Sequence, residues 1–419
     1  MNPECRRAIA ARRSGTFLTL ALAFAAALTV TDPSRANDRA TAAIEKLDRD
    51  GDGRVSRREW RKSDDVFDRM DGDGDGFLTV AEFRARFSAG GESGKRGRSR
   101  DDRAKGAPDG TTPPTTQAAT AQPARAAGRL PAGMPELYFV DAHSQMADGL
   151  DETTIIPLMD RAGVWHTILS ARNDRKPQDV AVFAAQHPAR ITGAVRSKGR
   201  AFNANRPLLK RLLSGQLGEP VFRAMAEAIL FHAEKGNRAP EIRAAIDSPQ
   251  ATTVLKAAVE RGWPFIAHYE FAAAGSDYEP LMGQFEDAAR KYPNHPFMLI
   301  HMGQLGPQEA GQLIKAHPNV YFITSHSNPV NIARHPNQPW SNMFDDNDRL
   351  SPGWRALVLA HPERFVLAFD NVFPEFWGSM YLDQAALWRT ALSALPATVA
   401  HAVAHGNAER LWKLPLPTR

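Results

Sequence analysis

From Ala89 the chain enters GGESGKRGRSRDDRAKGAPDGTTPPTTQAATAQPARAAG, a stretch with almost no large apolar side chain. Such a segment cannot bury enough surface to offset the entropy of ordering it. It therefore separates two folding units, and residues 89–134 are expected to be a disordered linker. On either side the composition is that of folded protein, with 43% apolar and 24% charged residues overall. The net charge of +5 is not spread over a broad face, because residues 135–419 carry 28 basic and 28 acidic side chains. Nucleic acid is not an expected partner. The one cysteine, Cys5, excludes an internal disulfide and any Cys-based metal or thiol site.

The N-terminus has the pattern of an export signal. Arg6, Arg7, Arg12 and Arg13 precede the uncharged run TFLTLALAFAAALTV, Thr16 to Val30. That run is shorter than the ~20 residues a membrane-spanning helix needs. Ser34 and Ala36 place small residues for cleavage before Asn37. The expectation is a signal peptide over 1–36, a periplasmic or secreted protein, and no integral membrane span after cleavage.

Between signal and linker lie two twelve-residue acidic loops, DRDGDGRVSRRE from Asp48 and DGDGDGFLTVAE from Asp71. Calcium takes six to eight hard oxygens at flexible distances, and ligands at loop positions 1, 3, 5, 7, 9 and 12 wrap one ion. Asp48, Asp50, Asp52, Ser56 and Glu59 fill the side-chain positions of the first loop, and Asp71, Asp73, Asp75, Thr79 and Glu82 those of the second. Arg54 and Phe77 at position 7 offer a backbone carbonyl. Gly53 and Gly76 stand where the turn requires positive φ. Val55 and Leu78 are placed for a short β contact between the loops. Ile44, Leu47, Trp60, Val66, Phe67, Met70, Phe83 and Phe87 are the candidate core. Residues 37–88 resemble a paired EF-hand domain, a small all-α unit with two calcium sites. Outside the cytosol such a unit is expected to stabilise or tether.

From residue 135 to 419, short apolar runs alternate with amphipathic stretches. Candidate strands are Leu137–Val140, Thr167–Ser170, Ile191–Val195, Met225–Leu230, Pro264–His268, Phe297–His301, Val320–Thr324 and Phe365–Phe369, with helices such as Asp151–Ala162, Ala251–Arg261 and Tyr278–Lys291 between them. Eight strands in this length predict an α/β fold, a (β/α)8 TIM barrel, whose sites lie at the C-terminal strand ends. There the sequence places His143 and Gln145, Glu227, His268, His301 and Asp370. Imidazole and carboxylate suit zinc or a similar ion.

These landmarks, FVDAHSQ, PLMDRAGVWHTILS, FAAQHPARITGAV, IAHYE, LIHMG, HPERFVLAFDN and HGNAERLWKL, resemble the amidohydrolase superfamily in its amidohydrolase-related branch, from about Leu137 to Leu414. The resemblance implies a metal-dependent enzyme acting on a small carbonyl compound. Gln145 stands where the family has the second His of His-x-His. Three arrangements follow. One divalent metal, zinc foremost, is held by His143, His268 and Asp370, with Gln145 or Glu227 completing the shell. Alternatively Glu227 orients a water or ligand, or the site works without metal. The resemblance implies that Asp370 shuttles the proton and that His301 assists at the substrate carbonyl. Arg196 and Lys198 are candidates to meet a substrate carboxylate. Ser325 and His326 are placed to line the mouth, and the long segment Asn328–Asp348 to act as a lid or specificity loop. Hydrolysis of a lactone, ester or amide is the leading expectation. Decarboxylation of an unsaturated or aromatic acid, and a non-catalytic calcium-dependent binding or scaffold role, are the alternatives.

Overall fold

The computed structural model describes residues 33–48, 53–57, 59–60, 64–72, 76–89, 128–173, 175–203, 205, 207–235, 240–334 and 336–418. The expected signal core, most of the expected linker and the loop residues Asp50, Asp52, Asp73 and Asp75 lie outside them.

The N-terminal unit consists of α1 (Pro33–Leu47), β1 (Val55–Ser56), α2 (Asp64–Met70), β2 (Phe77–Leu78) and α3 (Val80–Ala89). β1 and β2 pair antiparallel, Val55 opposite Leu78, as their loop positions require. Gly53 and Gly76 have φ of +81° and +92°. Their amides donate to Asp48 Oδ2 at 2.7 Å and Asp71 Oδ2 at 3.2 Å, so the first carboxylate of each loop folds the loop back on itself. Glu59 and Glu82 close the loops by accepting from the Ser56 and Thr79 amides. Ile44, Val55, Trp60, Phe67, Met70, Leu78 and Phe83 form the core.

The larger region is α/β. In chain order it runs β3 (Phe139–Met146), α4 (Ile155–Ala162), β4 (Val164–Ala171), α5 (Pro177–Gln186), β5 (Ile191–Val195), α6 (Arg200–Asn203), α7 (Pro207–Leu217), β6 (Phe222–Met225), β7 (Ala228–His232), β8 (Ile242–Arg243) and α8 (Pro249–Arg261). It continues with β9 (Phe265–Tyr269), α9 (Tyr278–Lys291), β10 (Phe297–Leu299), α10 (Pro307–Ala316), β11 (Val320–Ile323), α11 (Pro329–Arg334), α12 (Pro352–Ala360), β12 (Phe365–Val366), α13 (Ser379–Ser393), α14 (Ala397–His401) and α15 (Asn407–Trp412). Local chemistry sets the boundaries. α8 starts at Ser248, whose hydroxyl accepts from Ala251 N, and at Pro249, and it ends on Gly262 at φ +64°.

Strand pairing gives two sheets, β3-β4-β5-β6 and β12-β11-β10-β9-β7-β8, parallel throughout except for the short β8. The expected fourth strand is thus two pieces. β6 pairs with β5, and after Ala226 and Glu227 the chain resumes as β7 against β9. At the other margin, backbone bonds run from Ala142 N to Leu367 O (3.1 Å), Asp370 N to His143 O (2.8 Å) and Gln145 N to Asn371 O (3.1 Å). β10 and β12 stop earlier than expected, at Leu299 and Val366, because the chain turns there into other conformations.

Alternate strand residues separate into two apolar clusters. One face carries Val140, Ala142, Ile168, Ala194, Ala224, Ile266, Met298, Ile323 and Val366, and the last helix packs Leu411 and Trp412 onto it. The other face packs Phe139, Leu169, Phe265, Phe297 and Phe322 against the helices. A register shift between Asp141 and Ser144 alters the phase of β3 just before its polar end. Among the described residues no helix is long and apolar enough to cross a membrane.

Candidate active site

The polar ends of the strands meet around the Asp370 carboxylate. Its Oδ1 lies 3.5 Å from His143 Nε2, and its Oδ2 lies 3.6 Å from His301 Nε2 and 3.4 Å from His326 Nε2. All four residues are buried. Three of them hold left-handed backbone: His301 at φ 55°, His326 at φ 60° and Asp370 at φ 50°. Around His301 the conformation persists through Met302, Gly303 and Gln304. L-residues adopt it at a cost of roughly 1–2 kcal/mol each, and such strain concentrates at functional sites.

The frame behind the site is built from Asp141. Its Oδ1 accepts from Phe369 N at 3.0 Å, and its Oδ2 accepts from Ser144 Oγ at 2.6 Å. Ser144 Oγ in turn accepts from Asn371 N at 3.1 Å. These bonds tie β3 to the segment carrying Asp370. Burial raises the Asp141 carboxyl to about 7, against the lowering effect of its hydrogen bonds.

A second row of charges runs beside the first. Glu227 Oε2 bonds His268 Nδ1 at 2.7 Å, and its Oε1 contacts Lys198 Nζ. His268 Nε2 faces Glu270 Oε1 at 3.5 Å, and Lys235 Nζ reaches the same oxygen at 2.5 Å. Burial works against charge on His268, yet the flanking carboxylates hold its pKa at about 9. Glu227 sits well below the usual carboxylate range despite burial, because Lys198 and His268 adjoin it. His301 is pushed well down by burial first and by its neighbour His326 second.

Two contacts define what the donors offer. His301 Nδ1 lies 3.0 Å from Ser325 Oγ and 3.4 Å from the Ser325 carbonyl, which can only accept. The proton therefore belongs on Nδ1, and the Nε2 lone pair faces a carboxylate oxygen. His143 has both ring nitrogens buried with no hydrogen-bond partner among the described residues, and burial lowers its pKa. Two facing acceptors and an orphaned imidazole suit a cation. Donor atoms of Glu227, His268 and His301, and of His301, His326 and Asp370, form groups within 4.8 Å of one another. The residues present thus fit a divalent metal.

Of the expected site residues, His143, Glu227, His268, His301, His326 and Asp370 are brought together. Gln145 is present in another role. Its Oε1 accepts from Arg172 Nη1 at 3.3 Å and its Nε2 donates to Asp370 Oδ1 at 2.9 Å. A guanidinium only donates, so the amide oxygen is turned to Arg172 and the NH2 to Asp370. In that orientation the amide NH2, and not the oxygen, faces Asp370. Among the described residues Arg196 makes no hydrogen bond to the Asp370 cluster, and its Nη1 donates to Asn173 O at 2.8 Å. From the expected lid, Trp340 sets its edge against His301 and His326, 5.1 Å from each ring, while those two imidazoles stack at 4.3 Å.

Sequence reasoning missed Arg172, Glu270 and Lys235, and also His232, whose Nε2 lies 3.8 Å from Glu270 Oε1. Arg172 is the first charged residue after the second apolar run, and Glu270 stands two beyond His268 in the same strand pattern. Both signals were legible as position. Lys235 gives none, because it reaches the site only through Glu270 and Trp340.

The amidohydrolase family profile matches residues 132–414. The chain belongs to the amidohydrolase family. Two EF-hand repeats match residues 41–62 and 64–88, so an amidohydrolase-like enzyme is fused to an N-terminal EF-hand pair. No curated protein matches. Similar solved structures include a probable 2-pyrone-4,6-dicarboxylic acid hydrolase from Acinetobacter baumannii with citric acid bound, at 12% identity and a TM-score of 0.42, covering 66% of this chain and 99% of that one. A zinc-bound amidohydrolase from Burkholderia multivorans is 13% identical with a TM-score of 0.41, covering 66% of this chain and 100% of its own. The 4-oxalomesaconate hydratase of Rhodopseudomonas palustris is 13% identical with a TM-score of 0.40, covering 66% and 95%.

Proposed function

We propose that this amidohydrolase hydrolyses a small carbonyl compound, a lactone, ester or amide, at the Asp370 cluster. The observation that carries the reading is one buried carboxylate faced at 3.4–3.6 Å by three imidazoles, with strained backbone at Asp370 and at two of the three histidines. We read the catalytic unit as a (β/α)8 barrel over 135–419. The bonds from β3 to the segment after β12 support closure at one margin, and the shared β6–β7 chain supports it at the other.

A divalent ion such as zinc would be held by His143, His301 and Asp370 with Glu227 alongside, His301 standing in for the expected His268 because both His268 nitrogens face carboxylates, and when bound would supply Lewis-acid polarisation of the carbonyl and a more acidic water. The protein's own groups do the rest. Gln145 pins Asp370 Oδ1, which leaves Oδ2 to take a proton from the attacking water and return it to the leaving group. His326 Nε2, beside Oδ2, is placed to donate to the substrate carbonyl oxygen as charge develops. His301 presents a lone pair, so it acts as ligand or proton acceptor in place of the expected donor role. Glu227 and Glu270 hold His268 charged between them, which fixes its ring. Trp340 covers the two stacked imidazoles and limits water access.

Two further assignments belong to this reading. The basic residues and apolar run at the N-terminus support export to the periplasm or beyond. The paired loops support two calcium ions, held in part by Asp48, Glu59, Asp71 and Glu82.

Asp370→Asn tests the function. On a panel of small lactones, esters and amides, turnover is expected to fall to background while circular dichroism and melting temperature stay unchanged. Full turnover in the variant would remove Asp370 from the chemistry. Released carbon dioxide in place of a hydrolysis product would make the enzyme a decarboxylase, and inactivity of the wild type on the whole panel would favour a binding role.

A further inference from the structure

A second histidine cluster stands at the N-terminal end of β3, away from the end that carries His143. Between α14 and α15 the residues Ala402–Gly406 form a π-helical turn, closed by a bond from Asn407 N to Ala402 O. Such single turns recur at functional sites. The apolar side chains here, Val403, Ala404, Ala408, Leu411 and Trp412, are buried in the cores. His401, His405 and Glu409 follow one another at spacings of four and meet along one row, with both histidines only half-buried. His401 Nδ1 lies 3.0 Å from His405 Nε2, and His405 Nδ1 lies 3.0 Å from Glu409 Oε2. Tyr138, directly before β3, donates its hydroxyl to Glu409 Oε1 at 2.7 Å and stacks on the His405 ring, centroids 4.0 Å apart.

A carboxylate only accepts, so the His405 proton belongs on Nδ1 and its Nε2 carries a lone pair toward His401. Metal-binding imidazoles share this arrangement: the outer N–H is given to a carboxylate that is itself hydrogen-bonded. Here Glu409 is that carboxylate and Tyr138 fixes it. Two nitrogens each about 2.0–2.1 Å from one ion stand about 2.9 Å apart at the right angle of a square-planar centre, and about 3.3 Å apart at a tetrahedral one. The observed 3.0 Å fits the square-planar case, the geometry of copper(II) or nickel(II). The same distance suits an N–H···N bond, whose single proton the ion would replace. We propose that His401 Nδ1 and His405 Nε2 form a second transition-metal site, with Glu409 and Tyr138 as its outer support. Two protein ligands leave the other positions to water, so the ion exchanges and dialysis removes it. The site does not depend on the reading of the Asp370 cluster.

Electron paramagnetic resonance of the full chain tests it, with copper(II) as the probe and calcium in excess. Wild type is expected to take up one copper(II) at this pair, with the hyperfine pattern of two imidazole nitrogens in a square-planar field. His401→Gln and His405→Gln are each expected to lose that signal while circular dichroism stays unchanged. Glu409→Gln keeps both ligands and is expected to weaken copper binding about tenfold or more. That variant decides the outcome where a histidine variant does not fold. The comparison is between variants, so it holds whether or not the Asp370 cluster carries an ion. A folded wild type without the two-imidazole signal, the same signal in folded His401→Gln, or unchanged affinity in folded Glu409→Gln would overturn the proposal.

Discussion

His301, His326 and Asp370 stand at the ends of three successive strands and share a backbone conformation that disfavours L-residues. The strain aims three polar side chains at one point where extended strands would have sent them to alternating faces. Burial acts on histidine away from that point as well. His295, in the turn before β10, packs edge-on against Phe297 at 5.8 Å and is 7% exposed, and burial lowers its pKa from 6.5 to about 4. The folded state holds it neutral, while the unfolded chain takes up a proton below 6.5. Its contribution to stability is therefore present above about pH 6.5 and is lost as pH falls toward 4. Solvent close to the ring trims the full linkage value, so about 1 kcal/mol is expected between pH 7 and 5. In urea unfolding at those two pH values, His295→Phe should lose less stability than wild type by that amount. Equal losses would show that His295 is neutral for another reason.

At the scale of elements, the apolar runs were legible because their ends are set by local chemistry. Ile191–Val195 and Tyr278–Lys291 have the bounds their patterns predict. Three features were not legible. Met225–Leu230 reads as one apolar run, but it serves two neighbours, β5 and β9, and breaks at Ala226 and Glu227 to do so. Phe297–His301 reads as a strand through its histidine, yet the run of positive φ begins there, which no periodicity encodes. Gln145 matches a ligand position in pattern, and only the nearby Arg172 decides which end of its amide faces Asp370. The site's histidines and acids were readable because strand ends expose their polar residues in order.

For the whole molecule, two units with separate cores predict two unfolding events. The EF-hand core is small, eight buried apolar residues among those described, and its loops are rich in carboxylates that repel without calcium. Calorimetry of the full chain should show a low-temperature transition that rises with calcium, by about 2.7 kcal/mol of stabilisation at a hundred times the dissociation constant. The catalytic unit's transition should stay fixed. A single transition, shifted as one by calcium, would mean that the units fold together.

The central claim is that the amidohydrolase unit holds one divalent metal through imidazoles and Asp370, with Gln145 as a positioning group outside the ligand set. Element-resolved metal analysis of the dialysed full chain tests it, because calcium in the loops is counted apart from a transition metal. About one zinc or manganese per chain is expected in wild type and in Gln145→Ala, and loss of it in His143→Ala. A folded wild type without transition metal after reconstitution, or loss of the metal in Gln145→Ala alone, would contradict the account.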